Sequence, residues 1–204
     1  MSYSDFTKIE QVVTALDLTV EDIPHLFSQI PTIEPSLRLK ETLEETLDLA
    51  ASISTEKARS ELIITPILLE IRRLFKNKIG YFSGNTFNID ASKGLTGACD
   101  FILSASNNQS LITAPVLTLV EAKDNDISIG LGQCIAQMVG AQIFNDRKGT
   151  EQKNIYGAVS TGTNWKFLIL EGNVVKIDLT EYFINQIDKI LGILAEPFKL
   201  YYGS

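Results

Sequence analysis

One histidine and two cysteines in 204 residues leave little material for sulfur or imidazole chemistry. A structural zinc site draws its four ligands mainly from those residue types, so none is expected. A disulfide framework is equally excluded, and Cys99 and Cys134, each beside apolar or small residues, read as buried free thiols. Positive charge is in deficit, with 18 Lys and Arg against 25 Asp and Glu, a net of −7. That deficit argues against a broad basic surface for non-specific nucleic-acid binding, while leaving room for a local basic cleft. Long apolar runs are missing too. The most apolar stretch, Leu62 to Ile71, is interrupted by Thr65, Pro66 and Glu70 and is too short for a bilayer. The opening MSYSDFTKIE has neither a basic start nor an apolar stretch, so no signal peptide is expected. The resulting expectation is a cytoplasmic protein with no membrane partner.

What is present is an ordinary globular composition, 45% apolar and 21% charged, enough for one domain with a sizeable core. The charge is unevenly spread. Residues 1–60 hold 11 acidic and 5 basic side chains, and residues 61–204 hold 14 and 13. The larger part is therefore nearly neutral. The pattern predicts an acidic, helical N-terminal segment over residues 1–55 and a core over 56–204. Residues 4–30 read as an amphipathic helix broken near Pro24, and Leu37 to Ile53 as a second helix. A third, capped by Ser54 or Thr55, runs from about Glu56 to Lys76, with Pro66 inside it as a kink. Strands are expected at Gly80–Ile89, Gly97–Ser104 and Val116–Lys123, then a helix at Gly130–Asn145. Short strands at 154–160, 165–171 and 173–177 and a helix at 180–195 complete the order. This is an α/β (α+β) layer with a mixed sheet.

The chemistry concentrates at the end of the third strand, Val116-Leu-Thr-Leu-Val-Glu121-Ala122-Lys123. Side chains alternate along a strand, so Glu121 and Lys123 share one side. Burying such charges without partners is costly. A divalent cation and a water molecule would supply them. The acid-x-Lys pattern also occurs at Asp146–Lys148 and Glu151–Lys153, both in a polar loop where solvated surface charge is expected. A second acid, Asp100, lies in the apolar strand Ala98-Cys-Asp-Phe-Ile-Leu103, 21 residues before Glu121. That separation suits adjacent antiparallel strands joined through the SNNQS loop. Two carboxylates and the Ala122 carbonyl would then meet, an oxygen donor set suited to Mg²⁺. The rival reading of these residues is a plain Glu121–Lys123 salt bridge in a regulatory or small-molecule domain, with Asp100 far away.

Asp100 followed by Glu121-Ala122-Lys123, with a helix before the sheet and another after it, resembles the PD-(D/E)XK nuclease superfamily. The likeness spans about residues 56–145, and Cys99 stands where the motif's proline would be. The resemblance implies a restriction-endonuclease-like core and Mg²⁺- or Mn²⁺-dependent hydrolysis of phosphodiester bonds in nucleic acid, DNA ahead of RNA. It also implies homodimers where both strands are cut. Asp100, Glu121 and the Ala122 carbonyl would hold the metal, and Lys123 would orient the attacking water. An acid from the first core helix often completes such sites. Glu61 is the choice here, since it shares a helical face with Ile64, Leu68 and Ile71. Glu70 is the alternative, expected instead to face Arg73 or solvent. The Ser60-Glu61 pair also resembles the first motif of nuclease domains in type I restriction subunits. On the following helix Gln133 is favoured over Gln137 to steady the nucleophile or phosphate, and Gly130 and Gly132 would let backbone amides approach a phosphate. The basic run Arg72, Arg73, Lys76, Lys78 suits a helix C-terminus or a nucleic-acid backbone. The second functional reading is a retired nuclease fold serving as a binding or assembly module.

Overall fold

The computed structural model describes residues 1–150 and 152–203. Its centre is an eight-stranded mixed sheet in the order β1-β7-β6-β5-β4-β3-β2, with β8 beside β6. The strands are β1 (Thr19–Ile23), β2 (Gly80–Thr86), β3 (Ala98–Ser104), β4 (Val116–Ala122), β5 (Asn154–Ser160), β6 (Asn164–Glu171), β7 (Val174–Asp178) and β8 (Tyr182–Phe183). β4 runs antiparallel to β3 and parallel to β5, and β1 runs parallel to β7. Every residue of β4 is buried. Its apolar run follows from having helices on both faces of the sheet, which removes the polar alternation of a half-exposed strand.

One face is covered by α2 (Leu37–Ile53), α4 (Thr65–Leu74) and α6 (Ile187–Tyr202), with Ile64, Leu68, Trp165 and Phe198 in the shared core. The other is covered by α1 (Ile9–Leu16) and α5 (Ile127–Arg147), around Phe6, Val12, Cys134 and Met138. Both cysteines are free and buried, as expected. α2 begins where the Ser36 hydroxyl accepts the Leu39 amide at 3.2 Å, and buries Leu39, Leu43 and Ala50 along one stripe. α5 is long and apolar enough to cross a membrane by length and composition, which the reading of Leu62–Ile71 as the most apolar run overlooked. It is instead a core helix, 67% buried over its most apolar window. Its end is tied to β4 by Asn145, whose side chain accepts the Val116 amide and donates to the Val116 carbonyl, each at 2.8 Å.

Three expectations need correction. Residues 4–30 are not one broken helix. α1 stops at Asp17, which adopts φ 53°, and the β-branched stretch TVEDI forms the edge strand β1. The segment 1–55 thus adds a strand to the sheet and contributes to both cores. The last helix starts at Ile187 rather than Thr180, because the Asp178 carboxylate caps the Thr180 amide at 2.9 Å and Tyr182–Phe183 pair with β6. Gly130 and Gly132 are small for packing. A Cβ at Gly132 would lie 2.6 Å from the Phe6 carbonyl oxygen and 2.8 Å from that of Lys8. Backbone cannot step aside as a side-chain tip can, so Gly132→Ala is expected to cost about 1–3 kcal/mol by overpacking. Urea unfolding at neutral pH measures it, and an unchanged midpoint would contradict the docking of the N-terminal segment on α5.

The helix Glu56–Lys76 is observed as α3 (Glu56–Arg59), a π-helical turn over Ser60–Ile64, and α4. Thr55 caps its start, accepting the Ala58 amide at 3.1 Å. Pro66 sits in the first turn of α4 just after the π turn, which explains how the chain tolerates it there.

Candidate active site

The ends of β3, β4 and β5 meet at one rim of the sheet. The β3–β4 ladder stops at Phe101↔Val120. Beyond it the Asp100 carboxylate takes the place of a ladder bond, with Oδ2 accepting the Ala122 amide at 2.8 Å. Ala122 is the last residue of β4 and pairs with Ser160 of β5. Immediately after it, the Lys123 amide donates to the Ser160 carbonyl at 2.9 Å. The backbone on both sides of Ala122 is therefore pinned.

Glu121 is 1% exposed. Both of its carboxylate oxygens are held: Lys123 Nζ donates to Oε1 at 2.5 Å and Gln137 Nε2 donates to Oε2 at 2.8 Å. Burial, then the Asp100 charge, raise its pKa to about 8 against the opposing pull of Lys123 and Gln137. Lys123 loses some basicity to burial, but the carboxylates around it, Glu121 first, leave its pKa above the ordinary value. Its ammonium also lies 4.0 Å from a Glu56 oxygen. Glu56 is pushed upward by burial, held down by Lys123, and raised again by Asp100 and Asp124. Glu56 and Glu121 thus share one ammonium, with the Asp100 carboxylate close by on the Ala122 amide.

The structure brings Asp100, Glu121, Ala122 and Lys123 together and leaves Glu61 outside. The Glu61 side chain is 62% exposed and pairs with Lys57 at 3.6 Å. The expectation that Glu61 shares the packing face assumed uninterrupted α-helical phase. The π turn inserts an extra residue per turn at this point, so the phase changes: Ile63 and Ile64 face the core and Glu61 faces water. Glu56, one turn earlier, supplies the acid at the site. Glu70 does meet Arg73, at 2.7 Å, but is buried, and its other oxygen accepts the Ser36 amide at 2.9 Å, tying α4 to the start of α2. Gln133 is half-buried and makes no side-chain hydrogen bond among the described residues. Gln137, one turn on, is the glutamine that reaches Glu121, and its Oε1 is buried without a partner. Asp146 and Lys148 are exposed, as is Lys153, while Glu151 lies outside the described residues.

Gly130 leaves room for the stem of Lys123. A Cβ there would approach Val159 Cγ1 to 2.6 Å and Lys123 Cγ and Cε to 3.2 Å. The lysine stem therefore runs over a bare patch of α5. The site is a rim rather than a cavity. A groove of about 770 Å³, lined by Gln142, Asp146, Asn154 and Glu171, lies at the opposite end of β5.

Does this donor set suit a divalent cation? Among the described residues no three His, Cys, Asp or Glu side chains stand as a finished cage. The chemistry nonetheless fits a hard cation: the carboxylates of Glu121 and Glu56 share a single ammonium, and the Asp100 charge acts on it as well. A metal held by Asp100 and Glu121 would compete with Lys123 for Glu121 Oε1, and 15% of the Lys123 side chain is exposed to solvent.

No protein-family model matches the chain, and no curated protein matches it as a relative.

Proposed function

We propose that this chain is a metal-dependent nuclease of the PD-(D/E)XK kind, with a restriction-endonuclease-like core, acting on nucleic acid with DNA ahead of RNA. One observation carries the reading: Asp100, Glu121 and Lys123, drawn from two strands, converge at the ends of β3 and β4 around a carboxylate buried to 1% exposure.

Asp100, Glu121 and the Ala122 carbonyl are the groups that hold Mg²⁺ or Mn²⁺ in this reading. When bound, the ion supplies Lewis-acid polarisation of a phosphate oxygen and a water of lowered pKa. Lys123, freed from Glu121, would orient the attacking water and stabilise the negative charge on the phosphate oxygens. Gln137, rather than Gln133, holds Glu121 Oε2 and so fixes the carboxylate plane. Glu56 takes the outer position assigned by sequence to Glu61, near Lys123. One P–O bond breaks as water adds.

Purified protein incubated with mixed single- and double-stranded DNA and RNA is expected to cut in Mg²⁺ or Mn²⁺ and to stop in EDTA. Absence of cleavage in every metal and substrate would remove the reading. The engagement of both Glu121 oxygens favours one second reading, a retired site serving binding or assembly. Mn²⁺ titration separates the two, since a retired site leaves the Lys123–Glu121 pair closed and binds the ion weakly or not at all.

A further inference from the structure

We infer that Arg59 anchors the phosphate of the substrate at this site, an inference that rests on the nuclease reading above. Arg59 closes the single turn of α3, three residues after Glu56 and so on the same helical face. Lys57, between them, is directed to solvent with Glu61. The Arg59 Nη1 group donates to the Thr161 carbonyl at 3.0 Å. The preceding carbonyl, that of Ser160, accepts the Lys123 amide. The Arg59 side chain and the Lys123 backbone are thus fastened to consecutive carbonyls at the end of β5.

Two features separate Arg59 from a structural arginine. Its Nε is buried and has no hydrogen-bond partner. A buried N–H left unmade is destabilising, and a group kept only to tie α3 to Thr161 needs just the one bond it has. Among the described residues Arg59 also makes no salt bridge, although the neighbouring rim is rich in acids. Glu56, its natural partner at i−3, turns to Lys123 instead. Once a divalent ion offsets the carboxylates, a phosphodiester still brings a negative charge of its own. The guanidinium is then a cation at this rim with no acid paired to it. Its planar fork matches two phosphate oxygens as an ammonium does not.

The test uses the full chain and a labelled DNA duplex, with Ca²⁺ in place of Mg²⁺ and fluorescence anisotropy as readout. Arg59→Gln is expected to weaken binding about tenfold or more, the scale of one charge-assisted contact. The dependence of log affinity on log salt should flatten by about one unit, the signature of one lost phosphate contact. Arg59→Lys should keep most of the salt slope and lose part of the affinity. In Mg²⁺ the Arg59→Lys protein should show a raised KM with kcat less affected, as for a contact made equally before and during reaction. A purely structural Arg59 would lower the melting temperature of both variants and leave the salt slope of the folded protein unchanged, which overturns the inference. If the variants bind and cut like wild type while Asp100→Ala is inactive, the inference fails and the nuclease reading stands. A wild type that neither binds nor cuts nucleic acid removes both.

Discussion

Lys123→Ala protein is expected to lose metal-dependent cleavage by about 10²–10³-fold, the scale of removing one preorganised charge-stabilising donor, while remaining folded. The second half of that expectation needs an argument, because Lys123 is the partner of a carboxyl group that is 1% exposed. Stranding a buried charge typically costs about 3–5 kcal/mol. Glu121 escapes most of that cost. Its pKa already stands at about 8, so at neutral pH it holds its proton readily and becomes a neutral hydrogen-bonding group once the ammonium is gone. Gln137 still donates to Oε2. The variant should therefore show the wild-type circular dichroism spectrum at pH 6–7 and lose stability only in more alkaline buffer. Asp100→Ala removes a ligand and also the acceptor of the Ala122 amide, so it should be equally inactive and somewhat less stable. Single-turnover cleavage of a duplex in Mg²⁺ measures both. Wild-type rates in the two variants would end the assignment of the site.

Much of the sheet was legible because strands that are buried on both sides announce themselves. Val116–Ala122 and Asn154–Ser160 are apolar runs bounded by turn residues, and both are strands where expected. The antiparallel pairing of β3 with β4 followed from one short polar loop, and with it the meeting of Asp100 and Glu121. β1 was not legible. Thr19–Ile23 follows directly on an amphipathic helix and is mostly exposed, so no apolar alternation marks it; its partner β7 lies about 150 residues away, a distance no local pattern encodes. Glu56 was missed for a different reason. Helical phase counted through Ser60–Ile64 gives the wrong face as soon as one turn is π rather than α, and composition does not distinguish the two. The choice between Gln133 and Gln137 turned on distance along α5. The helix begins at Ile127, three residues earlier than expected, and it is Gln137 that comes opposite Glu121.

The largest expected effect on stability is a pH dependence written by Glu121. Its folded pKa, about 8, exceeds the 4.5 expected of an unperturbed glutamate. Between those values the folded chain binds the proton more tightly than the unfolded chain does. The contribution of this group is then fully present below about pH 4.5, falls as pH rises through the window, and is lost by about pH 8 and above. Each pKa unit corresponds to about 1.4 kcal/mol, so the total decline is on the order of a few kcal/mol. Lys123 and Glu70 act outside this window, and Glu56 adds little within it. Lys123 has a raised pKa, so its contribution is intact until pH rises past its unperturbed value of 10.5. Glu70, held down by Arg73 and Ser36 against its burial, has its contribution in place once pH exceeds 4.5. Glu56, also raised, contributes in the same direction but is far more exposed, and water screens it. Glu121→Gln removes the titrating proton while keeping the shape and the contact with Gln137. The difference in urea unfolding free energy between wild type and Glu121→Gln should therefore grow with pH from 5 to 9, in favour of the variant at the alkaline end. Mn²⁺ should reverse that order for wild type alone, because only an ionised Glu121 binds the ion and binding to the folded state adds stability by mass action. A wild-type profile as flat as that of Glu121→Gln would mean that this carboxylate is ionised throughout, and that the Lys123 ammonium already satisfies it without any metal.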